Sequence, residues 1–127
     1  MQIRWSGSVK FIYLDRQKVK DDLKKAVARL AEARPEVQRV ILFGSLARGD
    51  AVPGSDADIL VVLIESDKDF LHRISDYMPS DVPISVDVFP YTEDELERML
   101  NDGNQFVKRA LSEGVLLFER ATEAPAR

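Results

Sequence analysis

Two runs decide the fold: Val37-Gln38-Arg39-Val40-Ile41-Leu42-Phe43-Gly44-Ser45-Leu46-Ala47-Arg48-Gly49-Asp50, and Gly54-Ser55-Asp56-Ala57-Asp58-Ile59-Leu60-Val61-Val62-Leu63-Ile64. Val37–Phe43 is β-branched and apolar, which reads as a buried strand, and Gly44 stops it. Asp58–Ile64 is a second strand of the same kind. Between them Gly49, Asp50, Pro53, Gly54 and Ser55 form a loop, since glycine and proline punctuate regular structure. Gly44 and Ser45 fall where a strand ends and a short helical turn begins. A glycine there lets a ligand approach the backbone closely, and the N–H groups at a helix start attract anions.

Periodicity extends the pattern in both directions. The spacing of Val19, Leu23, Ala26, Val27 and Leu30 predicts a helix over 16–34, with Asp15 as its N-cap and Pro35 as its stop. Ser66 with Asp69 signals a helix that points Phe70, Leu71, Ile74, Tyr77 and Met78 inward. Ile84–Phe89 is a third strand. Thr92 and Glu95 make a capping box for a helix with Leu96, Met99 and Leu100 on one face, ended by Asn101-Asp102-Gly103. A further helix carries Phe106, Val107, Ala110 and Leu111 and closes at Gly114. Val115–Phe118 adds an edge strand. Residues 1–14 are an N-terminal extension, with a possible strand at Val9–Leu14, and residues 120–127 are a frayed tail. The result is one α/β (α+β) domain over 1–127: a mixed sheet of three to five strands with helices packed against it.

Composition narrows the chemistry. The chain has 127 residues, 45% apolar and 31% charged, as in an ordinary globular protein. Its apolar runs are too short to span a bilayer, so the default location is cytoplasmic. With no cysteine and a single histidine, thiolate nucleophiles and multi-histidine metal sites are excluded. Any catalysis falls to carboxylates, hydroxyls and cations. Residues 1–39 carry ten Lys or Arg against five Asp or Glu, and the remaining 88 carry eight against seventeen. A net charge of −4 argues against a general nucleic-acid binder. The basic N-terminal third reads as the solvated face of an amphipathic helix.

The acids are the informative feature. Asp56 and Asp58 stand two apart at the mouth of the second strand, so both reach one side while Ala57 and Ile59 turn toward the core. Asp87 interrupts the run Ile84, Val86, Val88 and occupies the opposite face of its strand. Two carboxylates about 5 Å apart repel by roughly 3 kcal/mol at an effective dielectric of 20. A shared proton or a cation resolves that cost, and magnesium, an oxygen-liganded ion, suits such a group.

Gly44-Ser45, ten residues, Asp56-x-Asp58 and the later strand acid Asp87 together resemble the nucleotidyltransferase superfamily typified by DNA polymerase beta. The compact arrangement is similar to the minimal nucleotidyltransferases, commonly paired with small helical HEPN proteins in toxin–antitoxin modules. The resemblance covers about residues 20–118. It implies that Gly44 and Ser45 hold nucleotide phosphates and that Asp56, Asp58 and Asp87 are catalytic and bind two magnesium ions. It also implies transfer of a nucleotidyl group, AMP from ATP, to a hydroxyl of a partner protein, the HEPN toxin. Arg48 either contacts phosphate or pairs with Asp50. Two alternatives remain: an antitoxin acting by binding alone, and an enzyme with a small-molecule acceptor, held across the cleft of a homo-oligomer. His72 reads as a surface residue, Trp5 and Tyr13 as packing residues, and the Leu96, Met99, Leu100 stripe as core or partner interface.

Overall fold

The computed structural model describes residues 16–51 and 54–121. The chain runs α1 (Arg16–Ala33), β1 (Val37–Phe43), α2 (Ser45–Arg48), β2 (Ala57–Leu63), α3 (Phe70–Ile74, continued by a 3₁₀ turn Ser75–Tyr77), β3 (Val86–Thr92), α4 (Glu93–Asn101), α5 (Gln105–Glu113) and β4 (Val115–Glu119). Among the described residues four strands form one mixed sheet in the order β3-β2-β1-β4. β1 runs antiparallel to both β2 and β4, and β2 runs parallel to β3. The expected strand over Val9–Leu14, the Asp15 cap and most of the tail lie outside the described residues. No described helix is long and apolar enough to cross a membrane.

Side chains alternate across a strand, so the sheet has two apolar layers. One holds Leu23 and Val27 of α1 against Val40, Leu42, Ile59, Val61, Leu63 and Val88. The other holds Ile41, Leu60 and Val62 under Leu96 of α4 and Val107 of α5. The central strand β2 is therefore covered on both faces, which is why its sequence runs apolar without alternation. The same alternation assigns Asp58 to the α4/α5 face, because it shares the parity of Leu60 and Val62.

The third strand begins two residues later than expected and continues to Thr92, through Pro90. Pro90 is tolerated because β3 is an edge strand, where a missing N–H breaks no ladder. The capping box at Thr92 and Glu95 is present as read. Gly114 ends α5, but in an extended rather than a left-handed conformation. Its role is proximity: a Cβ there would collide with the Ile41 side chain and the Ala110 carbonyl oxygen.

The segment after β2 corrects the sequence reading most. The cap of α3 is Asp69, which accepts from the backbone N–H of His72, while the Ser66 hydroxyl accepts from the N–H of Lys68. Tyr77 is buried, but Leu71 is 76% exposed and Met78 is also exposed. Arg73 takes the inward position and is only 3% exposed. Its guanidinium donates to the carbonyls of Lys68 (2.8 Å) and Pro90 (3.2 Å) and, in bidentate fashion, to Glu95 (2.7 and 3.0 Å). α3, the edge of β3 and the first turn of α4 are thus tied through one side chain. A helix this short reveals no periodicity, so the inversion was invisible in sequence. Leu100, from the stripe read as core or partner interface, is exposed, and so is Phe106.

Hydrogen bonds from Arg73, outweighing the cost of burial, hold Glu95 down at about 2 against an ordinary 4.5. A lowered folded-state pKa stabilises the fold above the unfolded value and ceases to do so as pH falls through the folded one. Unfolding free energy should therefore drop by on the order of 2 kcal/mol from this pair between about pH 5 and pH 2, reduced for its partial exposure to water. Denaturant titrations across that range should show it, and Glu95→Gln should flatten that part of the acid dependence.

Candidate active site

The site forms at the end of the sheet where β1 leaves and β2 and β3 enter. Phe43 is the last residue of β1, and Gly44 turns the chain into α2. Gly44 has φ 80° and ψ −158°, a conformation open almost only to glycine. A side chain is excluded a second way, since a Cβ at Gly44 would lie 2.5 Å from Oδ2 of Asp58. The turn closes through the Arg48 N–H to the Gly44 carbonyl (3.0 Å) and the Gly49 N–H to the Ser45 carbonyl (2.9 Å). In such a turn the first amides have no helical acceptor and face outward. Gly44 and Ser45 thus sit directly beside the acids, as the spacing suggested.

Register explains how the acids meet. Asp58 is the Cα partner of Asp87 across β2–β3 and of Phe43 across β1–β2. The three residues form one row on one face of the sheet. Asp58 and Asp87 are close enough to share a hydrogen bond, and Asp56, one residue before β2, acts on Asp58 through its charge alone. Asp58 is half-buried, and its carboxyl is raised above the ordinary range, first by burial and then by the charges of Asp87 and Asp56, with Arg48 pulling the other way. Among the described residues no three acids or imidazoles stand close enough to hold a metal ion outright. The donors suit a hard divalent cation nonetheless: Asp58 and Asp87 as an all-oxygen pair, with Asp56 within electrostatic reach and room left for further oxygens.

Arg48 makes the expected pair with Asp50 and a second one that was not expected. Its guanidinium donates to Asp50 (3.2 Å) and to Glu113 at the end of α5 (3.4 Å). Glu113 is 65 residues from Arg48, so nothing local announced it. Sequence reasoning also missed the aromatic floor beside the acids. Phe43, Phe89 and Phe106 form a triangle with ring centroids 5.3–5.5 Å apart. Only the parity of Phe43 with Asp58 and of Phe89 with Asp87 hinted at it. His72 is at the surface, beside Asp69.

A glycine turn after a buried strand is thus set against paired acids on the next two strands of an α+β domain. The chain belongs to the nucleotidyltransferase domain family, whose model matches residues 20–117. Among solved structures it is similar to a Sulfolobus solfataricus protein provisionally assigned as a nucleotidyltransferase, at 25% identity over 92% of this chain and 91% of that one, with a TM-score of 0.61. A second similar structure is a toxin–antitoxin complex with AMP-PNP, at 20% identity over 76% of this chain and 73% of that one, TM-score 0.53. No curated protein matches the sequence significantly.

Because Asp58 is raised in the folded state, its ionisation opposes folding above its folded value, and this cost disappears as pH falls toward the unfolded one. Asp58→Asn should therefore raise stability at pH 7 by about 1 kcal/mol, a screened fraction of the pair repulsion. Thermal unfolding without divalent cations should show the gain at pH 7 and lose it below pH 4.

Proposed function

We propose that the protein is a magnesium-dependent nucleotidyltransferase that moves AMP from ATP to a hydroxyl of a partner protein, and that the partner is a HEPN-type toxin. The observation that carries this reading is the Asp58–Asp87 pair set against the Gly44 turn. It places a carboxylate pair beside a backbone able to receive phosphate oxygens, at a contact that only glycine permits.

In this reading the outward amides of Gly44–Ser45 and the Ser45 hydroxyl hold the triphosphate. The acceptor oxygen attacks the α-phosphorus, a phosphorus–oxygen bond forms, and the bond to the β-phosphate bridge breaks to release pyrophosphate. Asp87, on the exposed edge strand, takes the proton from the acceptor hydroxyl. Asp56, Asp58 and Asp87 would hold magnesium, two ions, which would supply charge neutralisation on the phosphates. Most of the acceleration then comes from positioning and electrostatics, as in phosphoryl transfer generally.

Family membership supports the reaction type. The structural neighbour solved as a toxin–antitoxin complex with AMP-PNP supports the pairing of nucleotide and protein partner. A cytoplasmic setting follows from the use of ATP.

Calorimetric titration of ATP, with and without magnesium, tests the reading. Binding should require magnesium and disappear in Asp56→Asn/Asp58→Asn, and incubation with the partner should add the mass of AMP to it. If the double variant neutralises the partner as well as the native chain does, the protein acts by binding alone.

A further inference from the structure

Phe43 and Phe89 pack against the apolar layer under α4 and α5, whereas Phe106 does not belong to that layer. Phe106 lies 40% exposed, an unusual state for a large apolar ring this close to a polar site. It is nevertheless held in place, with its centroid 5.5 Å from that of Phe43 and 5.3 Å from that of Phe89. Between this ring and the Gly44 turn opens a recess of about 360 Å³, whose walls include Phe43, Gly44, Arg48, Gln105, Phe106, Arg109 and one acid, the Arg48-paired Glu113. That volume is within the range of small-molecule sites.

The two arginines differ. Arg48 is neutralised by Asp50 and Glu113, whereas the Arg109 guanidinium makes no ion pair or hydrogen bond among the described residues. An unpaired cation, a pinned aromatic surface and the glycine turn therefore border one cavity. Gln105 carries the one uncharged polar side chain on the walls, and its amide nitrogen donates back to the Gly103 carbonyl (3.4 Å).

We infer that this recess binds the nucleoside half of a purine nucleoside triphosphate, with the base laid on Phe106 and Arg109 meeting the phosphates; the inference rests on the nucleotidyltransferase reading. Gly44 is itself a wall of the recess, so a ligand whose phosphates sit at this turn can lay its base in the same cavity. A ring already fixed by two neighbours loses little freedom when a base stacks on it. Stacking accepts any base and strengthens with ring area, so with the Gln105 amide already engaged the recess favours purines over pyrimidines without distinguishing adenine from guanine sharply.

The test compares binding of ATP, GTP, CTP and inorganic tripolyphosphate in magnesium by the native chain, Phe106→Ala, Phe106→Trp and Arg109→Gln, with thermal unfolding to confirm that each variant folds. The native chain should bind ATP and GTP about tenfold or more tighter than tripolyphosphate, the increment expected of one stacked base, with CTP between. Phe106→Ala should bring ATP to the level of tripolyphosphate and leave tripolyphosphate unchanged, and Phe106→Trp should keep the preference. Arg109→Gln should weaken all four severalfold. Equal binding of ATP and tripolyphosphate by the native chain, or an unchanged ratio in Phe106→Ala, overturns the base site and leaves the phosphate site standing. Binding of neither overturns the nucleotide reading itself, and this inference with it.

Discussion

The parallel pairing of β2 with β3 forces Asp58 and Asp87 into one row, and the remaining architecture accommodates that unfavourable contact. Burial and two neighbouring charges raise Asp58, so the site begins in a state that costs free energy. Regions where local rules are broken and outweighed elsewhere are where function concentrates. Here the opposing contribution is the double-sided core of β2, whose Ile59–Leu63 segment is almost wholly removed from water. Asp58 is at the first turn-in of that strand and cannot retreat without pulling the core with it.

Among the described residues β3 is the edge of the sheet and presents the second acid from a strand paired on one side. Arg73 supplies part of what a neighbouring strand would. It donates to the outward Pro90 carbonyl and anchors the strand to the capped start of α4 through Glu95. The same Glu95 completes the capping box with Thr92, so helix initiation and strand anchoring share one carboxylate. On the other side of the site, Gly114 brings the end of α5 against β1 and sets Glu113 within reach of Arg48. α5 is thus positioned by close packing, and with it Phe106 and Arg109.

Much of the framework was legible because its signals are local. The β-branched run Val37–Phe43 is a strand with those very bounds, and the helix read over 16–34 ends one residue short of expectation. The Thr92–Glu95 box needs only a four-residue window. Asp87 stood out because a strand interior is a costly place for an acid, and its parity gave the right face. The errors fall where burial depends on what packs above. Leu71, expected inside, is exposed and Arg73 is buried instead, because a buried arginine is acceptable only with Glu95 and two carbonyls converging on it, and those come from elements up to 22 residues away. Ser66 and Asp69 are both plausible caps, and the choice rests on where the crossover reaches the sheet.

By itself, then, the amino-acid sequence determined the strand–turn–strand core, the glycine turn and the three acids, since these follow from conformational preference, alternation and electrostatic cost along a short stretch of chain. The tertiary structure alone decided that Asp58 meets Asp87 within hydrogen-bond reach while Asp56 acts on it through charge, that Arg48 is held by Glu113, and that three phenylalanines from β1, β3 and α5 meet beside the acids. Those outcomes depend on strand order and register. Such properties arise when segments distant in the chain share one buried sheet, and no local pattern encodes them.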